Sequence, residues 1–241
     1  SKGIVRLDTR TGTLKLYRLS ASPGSCYALH MDMRHQLWAA TMEGIYRYDA
    51  QSDAFRLVRS LGALTMDIEE DRRNGTLWFA TQGNGLWSYR PATRRWHHYL
   101  PTREPSSLLS ADINCLRLIG RQLFIATADG LCALQLQTGK FRQIRLDGTH
   151  SNIRCIVPDG NDLWLSTAGG IVRWRPGADA LVFNKYDGLP GGQFQANSGT
   201  RLADGRILFG STRGCCAFRP EQLHTNTIAP PVFITGLSLF N

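Results

Sequence analysis

Leu37-Trp38-Ala39-Ala40-Thr41 recurs down the chain as Leu77-Trp78-Phe79-Ala80-Thr81, Leu123-Phe124-Ile125-Ala126-Thr127, Leu163-Trp164-Leu165-Ser166-Thr167 and, in its most divergent form, Leu208-Phe209-Gly210-Ser211-Thr212. Each copy is followed within two to four residues by a glycine, at Gly44, Gly85, Gly130, Gly170 and Gly214; Gly3 repeats the pattern without its upstream half. Successive glycines stand 41, 41, 45, 40 and 44 residues apart, and an apolar residue comes eleven positions after each of the first five (Leu14, Phe55, Trp96, Phe141, Leu181). Spacing this regular marks an internal repeat.

Short runs rich in β-branched and aromatic residues, broken by Gly, Pro, Asp and Asn, read as strands joined by tight turns. In the second full unit the strands are expected near 64–70, 76–81, 86–90 and 96–100. A four-stranded sheet that is apolar on both faces must stack on neighbours, and radial stacking with a period of roughly 40–45 residues is the propeller solution. A linear solenoid is the alternative, but its repeats usually supply one or two strands each. The expected fold class is therefore all-β, a β-propeller piece of about five four-stranded blades belonging to a larger, seven-bladed ring. Residues 1–20 read as a partial blade, and 21–61, 62–102, 103–147 and 148–187 as complete ones. Residues 188–229 form a last blade with three clear strands, and 230–241 a linker and the first strand of a β-sandwich. Pro230-Pro231 marks the exit, because prolines cannot donate to a ladder. Beyond it the apolar edge of Val232, Ile234, Leu237, Leu239 and Phe240 is expected to be disordered or docked on another chain.

The chain has 241 residues with a net charge of +9, carried mostly by arginine. Its basic runs are only pairs, Arg72-Arg73 and Arg94-Arg95, so a salt-bridged surface fits better than nucleic-acid binding, and an anionic ligand remains open. No apolar run is long enough to span a membrane. Six cysteines, Cys26, Cys115, Cys132, Cys155, Cys215 and Cys216, show neither CxxC nor zinc spacing and read as buried free thiols, with Cys115 and Cys155 at equivalent innermost-strand sites.

The chain has no GxSxG, HExxH, P-loop or dinucleotide fingerprint, Gly83-x-Gly85 is too short for a phosphate cradle, and Asp187-Gly188 lacks the further acidic positions of a calcium turn. The six histidines are scattered, and His97 and His98 should point to opposite faces of a strand. Glu69-Glu70-Asp71 could hold a cation, but the adjacent Arg72-Arg73 favours local charge balance. Trp38, Trp78 and Trp164 share one repeat position and should pack between blades, whereas Trp87 and Trp96 lack that constraint. No catalytic residue, metal ligand or cofactor is assigned.

The repeat resembles that of two-component regulator propellers. The resemblance rests on Leu-Trp-x-[Ala/Ser]-Thr, then Gly-[Ile/Leu], then endings such as Tyr89-Arg90-Pro91. It also rests on Asp187-Gly188-Leu189-Pro190, Gln193-Phe194, Asp204-Gly205-Arg206-Ile207-Leu208-Phe209-Gly210, Phe218-Arg219-Pro220 and Pro230-Pro231-Val232-Phe233-Ile234-Thr235-Gly236-Leu237. That closing segment resembles the family's last blade, where the chain passes into a Tyr-Tyr-Tyr-type sandwich. The resemblance implies a non-catalytic periplasmic sensor segment of a hybrid histidine kinase in the inner membrane. It implies oligosaccharides as ligands, acidic ones included, control of the genes that degrade them, and a homodimeric parent with further propeller, sandwich and kinase parts. A propeller lyase or hydrolase and a protein-interaction scaffold are the alternatives.

Propellers bind on the face carrying the outer-to-inner connections, here 60–63, 101–111, 147–152 and 187–195. In or beside them lie the candidate ligand contacts Arg103, Glu104, Asn114, His150, Asn152, Arg154, Gln193, Gln195 and Asn197. Their amides and guanidinium groups suit sugar hydroxyls or carboxylates.

Overall fold

The computed structural model describes residues 3–19, 25–146, 152–189 and 193–223. A two-stranded sheet, β1 (Ile4–Leu7) and β2 (Leu14–Tyr17), leads the chain. The first four-stranded blade holds β3 (Cys26–Met31), β4 (Leu37–Thr41), β5 (Gly44–Asp49) and β6 (Ala54–Ser60). The second holds β7 (Thr65–Asp71), β8 (Thr76–Thr81), β9 (Leu86–Arg90) and β10 (Arg95–Tyr99). The third holds β11 (Ile113–Ile119), β12 (Gln122–Thr127), β13 (Gly130–Gln135) and β14 (Lys140–Ile144). The fourth holds β15 (Ile153–Asp159), β16 (Asp162–Thr167), β17 (Ile171–Trp174) and β18 (Leu181–Phe183). In the fifth, the described residues form three strands, β19 (Phe194–Arg201), β20 (Ile207–Ser211) and β21 (Gly214–Phe218).

Every sheet is an antiparallel meander, and the expected strands of the second blade fall within a residue of those observed. The recurring phrase occupies the second strand of each blade. Its side chains alternate between two buried faces, so apolar clusters form between neighbouring sheets rather than within one. Ile4 and Tyr17 meet Ala39, Tyr46 and Phe55; Trp38 and Ile45 meet Ile68 and Phe79; Trp78 and Leu86 meet Leu116 and Ile125. The last cluster joins the third, fourth and fifth blades around Trp164, Phe183 and Phe209.

The final threonine of the phrase clamps the turn into the third strand. The Thr41, Thr81, Thr127 and Thr167 hydroxyls donate to the carbonyls of Gly44, Gly85, Gly130 and Gly170 at 2.9, 2.7, 2.8 and 3.1 Å. In the fifth blade Ser211 makes this bond, to Gly214 at 3.1 Å. The phrase is therefore offset by one residue there, and Ser211 rather than Thr212 corresponds to Thr167. In the first, second and fourth blades the glycine is required by the outermost strand as much as by the turn, whereas at Gly130 a Cβ would meet only the Leu109 side chain, at 3.3 Å. At Gly44 (φ 153°) a Cβ would come 2.2 Å from Arg59 O, and at Gly170 (φ 152°) 2.1 Å from Phe183 O. Gly214 (φ 121°) has nothing within 4 Å, because no fourth strand covers it among the described residues.

Residues 224–241, including Pro230-Pro231 and the expected sandwich strand, lie outside the described residues, as does His150.

Candidate functional site

The innermost strands β3, β7, β11, β15 and β19 share an irregularity at one level. Each ladder skips a residue on the inner strand between Cys26 and Ala28, Thr65 and Asp67, Ile113 and Cys115, and Ile153 and Cys155. In β19 the register passes from Phe194↔Ser211 to Gly199↔Phe209, so five steps on β19 oppose two on β20. A β-bulge re-aims side chains and sharpens local twist. The bulged positions are Tyr27, Met66, Asn114 and Arg154, with Gln195 and Asn197 inside the longer one. Four sequence candidates thus share one structural level around the axis.

Next to the bulges lies a buried polar network. An innermost strand has one edge without a ladder partner, and buried edge amides need acceptors. Asp67, the residue after the bulge of its own strand, supplies one to the adjacent third blade: its Oδ2 accepts from Leu116 N at 2.8 Å and from Arg117 Nη1 at 3.1 Å. In the following blade Cys115 has the same position, and its Sγ accepts from Ile156 N at 3.4 Å. Arg117 Nη2 donates to Asn197 Oδ1 at 3.3 Å, and Asn197 Nδ2 donates to Met66 O at 3.3 Å. Second, third and fifth blades are therefore tied together across the axis.

Burial pushes the Asp67 carboxyl above the usual carboxylate range, opposed by Arg117 and by the Leu116 and Ile68 amides. Burial likewise pushes Glu69 up to about 7, with Arg117 opposing. For Arg117 itself burial acts downward, but Cys115, Asp67, Cys155 and Glu69 outweigh it and raise the guanidinium pKa. Burial also raises the Cys115 thiol, whose sulfur lies 3.9 Å from that of Cys155.

Asn114 is a buried clasp. Its Nδ2 donates to Ile153 O at 2.8 Å and to Asn152 Oδ1 at 3.2 Å, and its Oδ1 accepts from Gln82 Nε2 at 3.4 Å. Asn152 adopts a left-handed backbone (φ 62°) immediately before β15. Arg154 is half-buried, and Gln193 and Gln195 are exposed. Arg103 and Glu104 stand apart from this group. Both are exposed on a connection whose Ser106 O accepts from Phe141 N at 3.2 Å, on the outermost strand of the third blade.

Asp67, Glu69 and Arg117 were not singled out from sequence as members of this site. The signal lies in Asp67 and Glu69 alternating with Met66 and Ile68 along β7, and in Arg117 as the one charged residue of β11. Strand alternation sets Glu70 on the face of β7 toward the first blade, and Glu69 and Asp71 on the face toward the third. Asp71 pairs with Arg73 at 2.8 Å and Glu70 accepts from Met33 N at 3.0 Å, while Glu69 lies on the Arg117 side. His98 stacks on Trp87 at 3.8 Å, leaving His97 for the opposite face. Arg59 lies over both Trp87 and Trp96, 4.9 and 5.1 Å from their ring centres.

No protein-family model matches the chain. Over 117 residues it is 28% identical to the histidine kinase P4 of Formosa agariphila, a stretch covering 47% of this chain and 8% of that protein. Among solved structures it resembles the extracellular domains of two hybrid two-component systems of B. thetaiotaomicron. One has 21% identity and a TM-score of 0.70 over 83% of this chain and 29% of the other; the second has 17% and 0.70 over 86% and 28%. A virginiamycin B lyase of Staphylococcus aureus, solved with quinupristin, has 14% identity and a TM-score of 0.68 over 90% and 72%. The chain thus spans less than a third of the sensor domains that it resembles. No helix among the described residues is long and apolar enough to cross a membrane. The chain has the β-propeller fold found in the extracellular domains of hybrid two-component systems, and part of its sequence is similar to a histidine kinase.

Proposed function

We propose that this chain is a non-catalytic periplasmic sensor segment of a hybrid two-component histidine kinase, and that it takes up oligosaccharides at the bulged end of its innermost strands. The observation that supports this reading is the shared level of the bulges, which sets Arg154, Gln195 and Asn197 around the axis above a fixed polar floor of Asp67 and Arg117. Amides and guanidinium groups held on rigid strands match sugar hydroxyls and uronate carboxylates. The floor links three blades, so a ligand that reorders the bulges alters how those blades pack. That is a route by which binding reaches the rest of a parent kinase, which controls gene expression as a homodimer in the inner membrane. The likeness to a lyase is one of fold alone.

The test is a titration of the 15N-labelled chain with defined oligosaccharides, neutral and uronate-bearing, from plant and host polysaccharides. Saturable shifts confined to 113–117, 152–155 and 195–197 are expected, weakened by Arg154→Ala and Gln195→Ala. If no oligosaccharide moves these resonances, or if the shifts map to other loops, the reading fails.

A further inference from the structure

The opposite end of the second blade carries a different arrangement. Strand alternation places Trp78, Ser88 and His97 in one row across β8, β9 and β10, facing the third blade. Nearer the turns, Arg90 and Arg95 lie side by side in the ladder. Leu134 and Leu136 form the facing wall, and the cleft between holds about 280 Å³.

Two features of this cleft lack a partner among the described residues. The first is the indole Nε1 of Trp78, a residue only 6% exposed, which has no hydrogen-bond acceptor. In the first blade the equivalent Trp38 donates to Asp32 Oδ2 at 2.9 Å. The corresponding Asp71 is engaged by Arg73 Nε at 2.8 Å and Asn74 Nδ2 at 3.1 Å. Trp164 of the fourth blade also lacks an acceptor, but Phe183, Phe218 and Arg173 pack on its ring and it is fully buried. Only Trp78 combines the unpartnered donor with a cleft among the described pockets.

The second feature is charge. Like charges directly opposite in a ladder repel. The nearby acids are used elsewhere, Glu70 facing Arg72 and Asp71 paired with Arg73. The cleft thus presents two guanidinium groups, an imidazole, a hydroxyl and a buried indole donor against a single carboxylate, Asp71, which Arg73 already engages, and this set asks for a ligand rich in acceptors and bearing negative charge. Guanidinium binds carboxylate through paired hydrogen bonds, and a buried donor left unmade is costly. We propose that this cleft is a binding site for a small carboxylated, hydroxyl-rich molecule of single-sugar size, a hexuronate. Its carboxylate lies between Arg90 and Arg95, and a ring or hydroxyl oxygen accepts from Trp78 Nε1. The site is at the far end of the sheets from the bulges and does not depend on the sensor reading.

The 15N-labelled chain titrated with D-galacturonate tests this. The Trp78 indole resonance, assigned by its loss in Trp78→Phe, is expected to shift saturably, and D-galactose is expected to leave it in place. Arg90→Gln and Arg95→Gln should each weaken binding by about tenfold, the usual effect of losing a charged hydrogen-bond partner. Arg154→Ala, at the bulged end, should leave the affinity unchanged. An unmoved indole resonance in the folded protein, an equal shift with galactose, or unchanged affinity in both arginine variants would overturn the proposal.

Discussion

Arg117 on β11 reaches back between blades to Asp67 on β7, placing its Nη1 3.1 Å from Asp67 Oδ2 although fifty residues separate them. Both side chains are largely removed from water, so either one alone is a charge without compensation. Arg117→Leu should cost about 3–5 kcal/mol. The double variant Asp67→Asn/Arg117→Leu should cost clearly less, since the amide keeps an acceptor for Leu116 N without a stranded charge. Urea unfolding of the two proteins measures the difference. Equal losses would mean that the pair is not coupled.

Glu69 should make stability fall as pH rises. Its folded pKa is about 7, against the usual value of 4.5 that it regains on unfolding. Between those values the folded state holds the proton that the unfolded state has released, so alkalinity favours unfolding. The loss across that window should be about 3 kcal/mol. Glu69→Gln should flatten the profile between pH 5 and about 7; an unchanged slope would show that Glu69 titrates normally.

The repeat glycines should differ in their tolerance of alanine. Gly170→Ala drives a Cβ to 2.1 Å from Phe183 O, a backbone atom that cannot move without breaking β17–β18 pairing. A loss of about 3 kcal/mol or more is expected. At Gly214 only the positive φ opposes a side chain, which costs about 1 kcal/mol. Thermal unfolding of the two variants gives the ranking, and a reversed order would mean that the outer carbonyl does not constrain the turn.

The cysteines should separate by burial. Cys215 is exposed, whereas Cys115, Cys132 and Cys155 are buried. Burial also pushes the Cys132 thiol up to about 11, which removes the reactive thiolate at neutral pH. A disulfide-exchange reagent should modify Cys215 promptly in the native protein and reach the other three only on unfolding. Rapid native modification of Cys115 or Cys155 would show that the axis is open to solvent.

The phrase ending in Thr41, Thr81, Thr127 and Thr167 was legible because everything it does is local. Its threonine and glycine meet three or four residues apart, and its alternating side chains need only a neighbouring copy of the same repeat. The same locality explains the one misalignment: Thr212 matches the pattern by type, but only the observed hydrogen bond identifies Ser211 as the clamp. The divided roles of Glu69, Glu70 and Asp71 were also hidden, because a run of acids shows its charge but not which blade each side chain faces.

The sequence by itself determined the repeat, its strands and the sheets that stack, since a meander of four short strands is built from contacts within about forty residues. Which residues face one another across the axis was decided only by the tertiary structure. Asp67, Arg117 and Asn197 lie fifty and eighty residues apart. Their meeting depends on the angle that each blade adds to the ring and on the bulges that turn them inward. Neither quantity resides in any one segment, because both arise from the packing of whole sheets against each other.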